Sequence, residues 1–165
     1  MNTIEKITIR ENKTLKLRNV LIRELKQDEL IHMDKVTYMM ENYIKSKGNS
    51  IIGPMVTYSS SLVDDHGNLT VKSKIMIQLR NKINKVENPY KIEEEVRVTN
   101  CLFARYNEFE ENLQYAYSKL ELYAFEKDIN LKGDAYTIFV DNKDNKLVAD
   151  IFMEVQKEDL SFESL

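Results

Sequence analysis

The chain has 165 residues, 42% hydrophobic and 31% charged, with a net charge of −3, the make-up of an ordinary globule able to bury about two-thirds of its unfolded surface. Basic and acidic residues are interspersed, which argues against a nucleic-acid surface, and no stretch approaches the roughly 20 apolar residues of a membrane span. The one cysteine, Cys101, cannot form an internal disulfide, and the N-terminus lacks the apolar run of a secretory signal, so a cytoplasmic protein is expected.

Ile7-Thr8-Ile9 alternates briefly and reads as a short edge strand. Residues 15–25 alternate loosely and end in Lys26-Gln27-Asp28. Asp28 is placed to cap a helix, with Glu29 in the first turn, where a negative charge suits the dipole. Leu30, Met33, Val36 or Thr37, Met40 and Ile44 follow at spacings of three and four, one apolar helix face, and Gly48 suits its C-terminal cap. Gly53-Pro54 opens a strand, and Asp64-Asp65-His66-Gly67-Asn68 is a turn by composition. Residues 71–79 alternate with period two. Val71, Ser73, Ile75, Ile77 and Leu79 share one face, and Lys72, Lys74, Met76 and Gln78 the other. The polar stretch 80–94, with Pro89, reads as a connector.

The second half repeats the plan. A strand is expected over 97–105 and a helix over 108–127, Asn107 and Glu110 having capping-box spacing. Its apolar stripe is Phe109, Leu113, Ala116 or Tyr117, Leu120 and Ala124. After Gly133 come strands over 135–140 and 147–155 around the turn Asp141-Asn142-Lys143-Asp144-Asn145. In the last strand Leu147, Ala149, Ile151, Met153 and Val155 share one face; Val148, Asp150, Phe152 and Glu154 share the other. Residues 156–165 form an acidic tail.

At an offset of 80, Tyr43 meets Tyr123, Lys47 meets Lys127, Gly53 meets Gly133 and Thr57 meets Thr137. The closing strands align at 76, Ile75 on Ile151 and Leu79 on Val155. A duplicated strand-helix-strand-strand unit follows, with repeats over about 15–79 and 95–155 in a single domain spanning 1–165. Neither half can cover its own sheet, so the expected fold is α+β, one antiparallel sheet with both helices on one face.

Cys101-Leu102-Phe103-Ala104-Arg105-Tyr106, the Asn107-Glu108-Phe109 helix start, Tyr136-Thr137-Ile138-Phe139-Val140 and Asp150-Ile151-Phe152-Met153-Glu154-Val155 together resemble the GyrI-like, or bacterial effector-binding, domain family, and Gly53-Pro54 is similar to its strand entry. Here Asp150 stands for the family's usual glutamate, Glu154 for a proline and Asn107 for a common glycine. The resemblance implies a small-molecule groove between the halves on the sheet face away from the helices. It places there Asp150 and Phe152, with Tyr136 or Thr137 from the neighbouring strand. Lys74, Met76 and Tyr58 complete the candidate ligand-binding set from the first half.

A carboxylate beside aromatic rings can cradle an organic cation. Lys74 is the repeat equivalent of Asp150, however, and a pair between them would neutralise the groove and favour a mixed-charge ligand or a protein segment. A solvated Asp-x-Phe-x-Glu strand face is the bland alternative.

Hydrolysis is a less favoured reading, with Asp150 as general base and Tyr136 polarising the substrate, and no catalytic residue is assigned. His32 and His66 have no Cys or His cluster around them, so neither metal nor cofactor is expected. Cys101 reads as a buried strand thiol. With no helix-turn-helix segment before the first strand, the expected role is a stand-alone binder. The expected partner is a small organic ligand, alternatively a protein to which it serves as accessory or inhibitor, without direct nucleic-acid or membrane contact.

Overall fold

The computed structural model describes residues 7–157. Its first half is β1 (Ile9–Glu24), a 3-10 turn (Gln27–His32), α1 (Met33–Ser46), β2 (Val56–Val63) and β3 (Leu69–Gln78). Its second half repeats that order as β4 (Tyr90–Phe109), a 3-10 turn (Glu110–Asn112), α2 (Gln114–Glu126), β5 (Asp134–Lys143) and β6 (Lys146–Glu154). The chain is thus α+β, with six strands in one antiparallel sheet and two α-helices among the described residues.

The halves repeat in detail. Isolated bridges Ile51–Leu79 and Leu131–Val155 sit at equivalent points. So do the hydrogen bonds from Leu79 N–H to the Asn19 carbonyl (2.9 Å) and from Val155 N–H to the Asn100 carbonyl (3.2 Å). Asn19 and Asn100 both have positive φ, 48° and 56°, a conformation asparagine tolerates better than most residues. At each, the strand shifts its alternation while continuing.

Helix packing follows the apolar stripes. Val36, Met40 and Ile44 of α1 pack on Leu21, Ile75, Ile77 and Leu79. Ala116, Leu120 and Ala124 of α2 pack on Leu102, Ala104, Tyr106, Ile151 and Met153. A third cluster contains no helix residue: Leu15, Leu17, Val20, Ile22, Val56, Met76, Val98, Cys101 and Phe152. Both helices therefore lie on the outer face, and the third cluster fills the inner one.

Strand order β1-β3-β2-β5-β6-β4 closes on itself because β1 also pairs with β4, from Ile9–Ala104 to Arg23–Tyr90. That pairing corrects several expected boundaries. Ile7-Thr8-Ile9 and 15–25 are not two strands; residues 9–24 are one, broken only by a bulge around Asn12 (φ 56°). The connector ends before Tyr90, since 90–96 is strand paired with β1. Phe109 ends β4 and is exposed, so it belongs to no helix stripe, and neither Asn107 nor Asp28 caps a helix. The second helix starts at Gln114 rather than near 108, because β4 stays paired with β6 as far as Phe109–Lys146. The expected acidic tail lies outside the described residues beyond 157.

Arg23, 7% exposed, is an ionised side chain held under the first helix. One amino group donates to Glu29 in the 3-10 turn at 2.5 Å, while its Nε and Nη1 have no partner among the described residues, and the guanidinium lies 5.9 Å from the Tyr90 ring centroid. The Glu29 carboxylate also accepts from the Lys26 N–H at 3.0 Å. Removing one partner of such a pair leaves an uncompensated charge out of water. Glu29→Gln should therefore cost about 3 kcal/mol in urea unfolding, whereas Arg23→Met combined with Glu29→Gln should cost less.

Candidate functional site

On the inner face, cross-strand register lines up side chains from every strand. One row runs Arg10–Phe103–Phe152–Tyr136–Tyr58–Lys74–Glu24 through β1, β4, β6, β5, β2, β3 and β1 again. Directly opposite side chains on one face sit about 5 Å apart, close enough for rings to touch. Accordingly Phe103 and Phe152 have ring centroids 5.0 Å apart, and Tyr58 and Tyr136 4.9 Å apart. Both spacings suit tilted, quadrupole-matched packing.

The adjacent row is Arg105–Asp150–Ile138–Val56–Met76–Ile22. It matches the first position for position under the internal repeat, with aliphatic groups where the first has rings. The charged ends match too: Lys74 opposite Glu24, and Asp150 opposite Arg105.

The candidates Asp150, Phe152, Tyr136, Lys74, Met76 and Tyr58 thus share the inner face. Thr137 does not. It pairs with Thr57 and Ile151 and is 2% exposed, and its hydroxyl bonds that of Tyr117 on α2 at 2.5 Å. Consecutive strand residues point to opposite faces, so Tyr136 and Thr137 cannot serve one groove.

Lys74 and Asp150 do not meet either. β2 and β5 lie between their strands, three interstrand spacings or about 14 Å. Lys74 instead lies 5.1 Å from the Tyr58 ring centroid, a cation–π contact. Burial, helped by the nearby charge of Lys72, lowers its pKa. Asp150 accepts from Arg105 through both oxygens, Nε to Oδ1 at 2.7 Å and Nη2 to Oδ2 at 2.9 Å, in a bidentate pair. That pair raises the Arg105 pKa. Burial, reinforced by the Asp134 charge, pushes Tyr136 well above the ordinary tyrosine range, so it stays a neutral phenol.

Sheet closure fills much of the inner face. Leu15, Leu17, Val20 and Val98 from the β1–β4 ribbon pack against Val56, Met76 and Phe152. A cleft of about 430 Å³ stays open at the far end of the aromatic row, lined by Arg10, Lys13, Thr14, Phe103, Arg105 and Phe152. It lies at the β1 bulge, where the register with β4 slips between Arg10 and Lys13. Bulges re-aim side chains in this way. Of these residues only Phe152 was expected at the site from sequence. Phe103 and Arg105 were accessible in principle, because they alternate with Leu102, Ala104 and Tyr106 in β4. Arg10 and Lys13 were not, because their place depends on the pairing of distant strands.

A larger cavity, about 530 Å³, opens on the outer face between α2 and the β2–β5 seam, beside Ser61, Tyr117, Glu121 and Asp134. Asp134 borders it but shares the face of Tyr136 by alternation, and burial, with Glu154 close by, raises its carboxyl. Among the described residues no group of three or more His, Cys, Asp or Glu side chains could hold a metal ion, and no helix is long and apolar enough to cross a membrane.

Among solved structures the fold is similar to EcmrR in a cryo-EM EcmrR–DNA complex, with a TM-score of 0.65 and 11% identity over 93% of this chain. The chain spans 58% of that EcmrR chain. It is also similar to a hydrolase encoded by lin2189 from Listeria innocua (TM-score 0.52, 9% identity, 92% of each chain). SAV2435 bound to tetraphenylphosphonium is a third such structure (TM-score 0.50, 11% identity, 92% of this chain and 94% of that one). At these identities the likeness is one of fold. No protein-family model matches the chain, and no curated protein does.

Cys101 reports on the inner cluster. It is fully buried, and burial is the main cause that raises its thiol from 9.0 to about 11. Because the thiolate is the reactive form, native protein at pH 8 should resist iodoacetamide and react at once in denaturant. A raised acid pKa favours the protonated fold, so this contribution is full below about pH 9 and is lost as pH rises toward 11. Mass spectrometry after alkylation checks the first point, and urea melts at pH 8 and 10 the second.

Proposed function

We propose that this chain is a small-molecule-binding protein of the GyrI-like, effector-binding kind, and that it takes an amphiphilic or aromatic ligand on the inner face of the sheet. The observation that carries this reading is the aromatic row with one open end. Phe103 and Phe152 form an apolar floor that the helices never cover, at the mouth of a cleft whose volume suits a small organic molecule. Similarity of fold to SAV2435, a structure with tetraphenylphosphonium bound, supports the same reading.

The ligand set supported by this geometry is Phe152, Phe103 and Asp150 with its partner Arg105 at the mouth. Tyr136, Tyr58, Met76 and Lys74 lie further along the inner face. Thr137 has no part in it.

Two of the fold neighbours are hydrolases from Listeria innocua, so hydrolysis has to be weighed. The only carboxylate placed for it on the sequence reading is Asp150, and both its oxygens are engaged by Arg105. A base so occupied would first have to release its guanidinium, which favours binding over turnover.

A thermal-shift screen against aromatic amphiphiles of each charge class tests the reading. A ligand at a hundredfold excess over its Kd should stabilise the fold by about 2.7 kcal/mol. Phe103→Ala, which removes a half-buried ring, should abolish that increment. An unchanged increment in Phe103→Ala, or no stabilisation by any class, would refute inner-face binding.

A further inference from the structure

The mouth of the cleft carries excess positive charge, its Asp150 carboxylate being paired with Arg105. Arg10 and Lys13 are exposed and sit on the inner face opposite Phe103 and Cys101. Arg105 is the third cation, and Asp150 is its counter-ion. No acidic residue lines the cleft among the described residues. Glu154, on the same face opposite Cys101, is bonded to Lys132 at 2.7 Å. Glu11, the nearest acid in sequence, accepts from the Tyr123 hydroxyl on α2 at 2.5 Å. Among the described residues, two cations therefore remain uncompensated at the rim of an apolar floor.

Arg105 adds direction. Its Nε and one amino group are spent on Asp150, so the guanidinium is held in place and its other amino group is left for a further acceptor. Thr14 supplies a hydroxyl on the same rim.

From this arrangement we propose that the cleft selects an anionic aromatic ligand, an aryl carboxylate or sulfonate. Its flat body lies on the Phe103–Phe152 pair, and its acidic head is held by Arg10, Lys13 and the free edge of Arg105. The proposal rests on the inner-face reading above and fixes the sign of the ligand. A cation would meet two uncompensated positive groups at the entrance and would have to break the Arg105–Asp150 pair to reach a carboxylate. An anion displaces nothing. Apolar contact alone would not distinguish the two, so the rim charges set the selectivity.

Fluorescence titration with anilinonaphthalene sulfonate and with phenylnaphthylamine, the same fluorophore without its sulfonate, tests this directly. The intact protein should bind the sulfonate at least about tenfold more tightly than the neutral dye, a margin that shrinks with added salt as charge contacts do. Arg10→Gln with Lys13→Gln, both exposed, should erase the margin and leave the neutral dye within about twofold. Arg10→Glu with Lys13→Glu should turn the preference toward a cationic dye such as rhodamine. Equal affinity of the two fluorophores, with both lost in Phe103→Ala, would keep the inner-face site and overturn its anion selectivity. Full sulfonate affinity in the Gln pair would overturn it as well. If neither fluorophore bound, the inner-face reading itself would fall, and the charge proposal with it.

Discussion

Pairing of β1 with β4 is the contact on which the rest of the molecule depends. It is the longest-range ladder in the chain and the one that turns an open sheet into a closed one. Without it the inner face would be an exposed apolar surface wider than a soluble protein tolerates. With it, Leu15, Leu17 and Val98 are laid against Val56, Met76 and Phe152, and the sheet gains a second core independent of the helices. Closure asks two long strands to bend, and asparagines at positive φ sit where alternation breaks: Asn12 and Asn19 in β1, Asn100 in β4. The bulge at Asn12 also lifts the end of β1, and the cleft lies there. The open end is thus a by-product of how the sheet closes.

Internal symmetry gives the site its asymmetry. Two matched rows cross the inner face, one aliphatic and one aromatic. Each ends in two residues of opposite charge facing each other in register, but of opposite orientation: the strand next to β2 or β5 contributes Lys74 in one half and Asp150 in the other. A symmetric scaffold thereby presents a flat aromatic floor on one side only. Because Asp150 and Lys74 are each engaged locally, with Arg105 and Tyr58, they do not neutralise each other across the face.

Much of this was legible in the sequence where the period-two signal was strong. In β3 and β6, the division of Ile75 and Ile77 from Lys74 and Met76, and of Ile151 and Met153 from Asp150 and Phe152, matches the observed faces. The same rule applied to β5 separates Tyr136 from Thr137, and Thr137 goes to the helix side. Alternation in β1 was obscured by bulges, so one long strand read as two short pieces. Partner choice was the hidden part. The alternation of Asp150 gives its face, but only the register of β6 on β4 supplies Arg105, and only sheet closure brings Arg10 to Phe103.

The central claim is that the open end of the aromatic row receives the ligand. Nuclear magnetic resonance titration of isotope-labelled protein with anilinonaphthalene sulfonate tests it most directly. The predicted result is that shifted amides cluster at 8–14, 103–105 and 150–152, the segments that form the cleft. Shifts centred instead on Ser61, Gly133 and Asp134 would put the ligand in the outer cavity beside α2 and contradict the account.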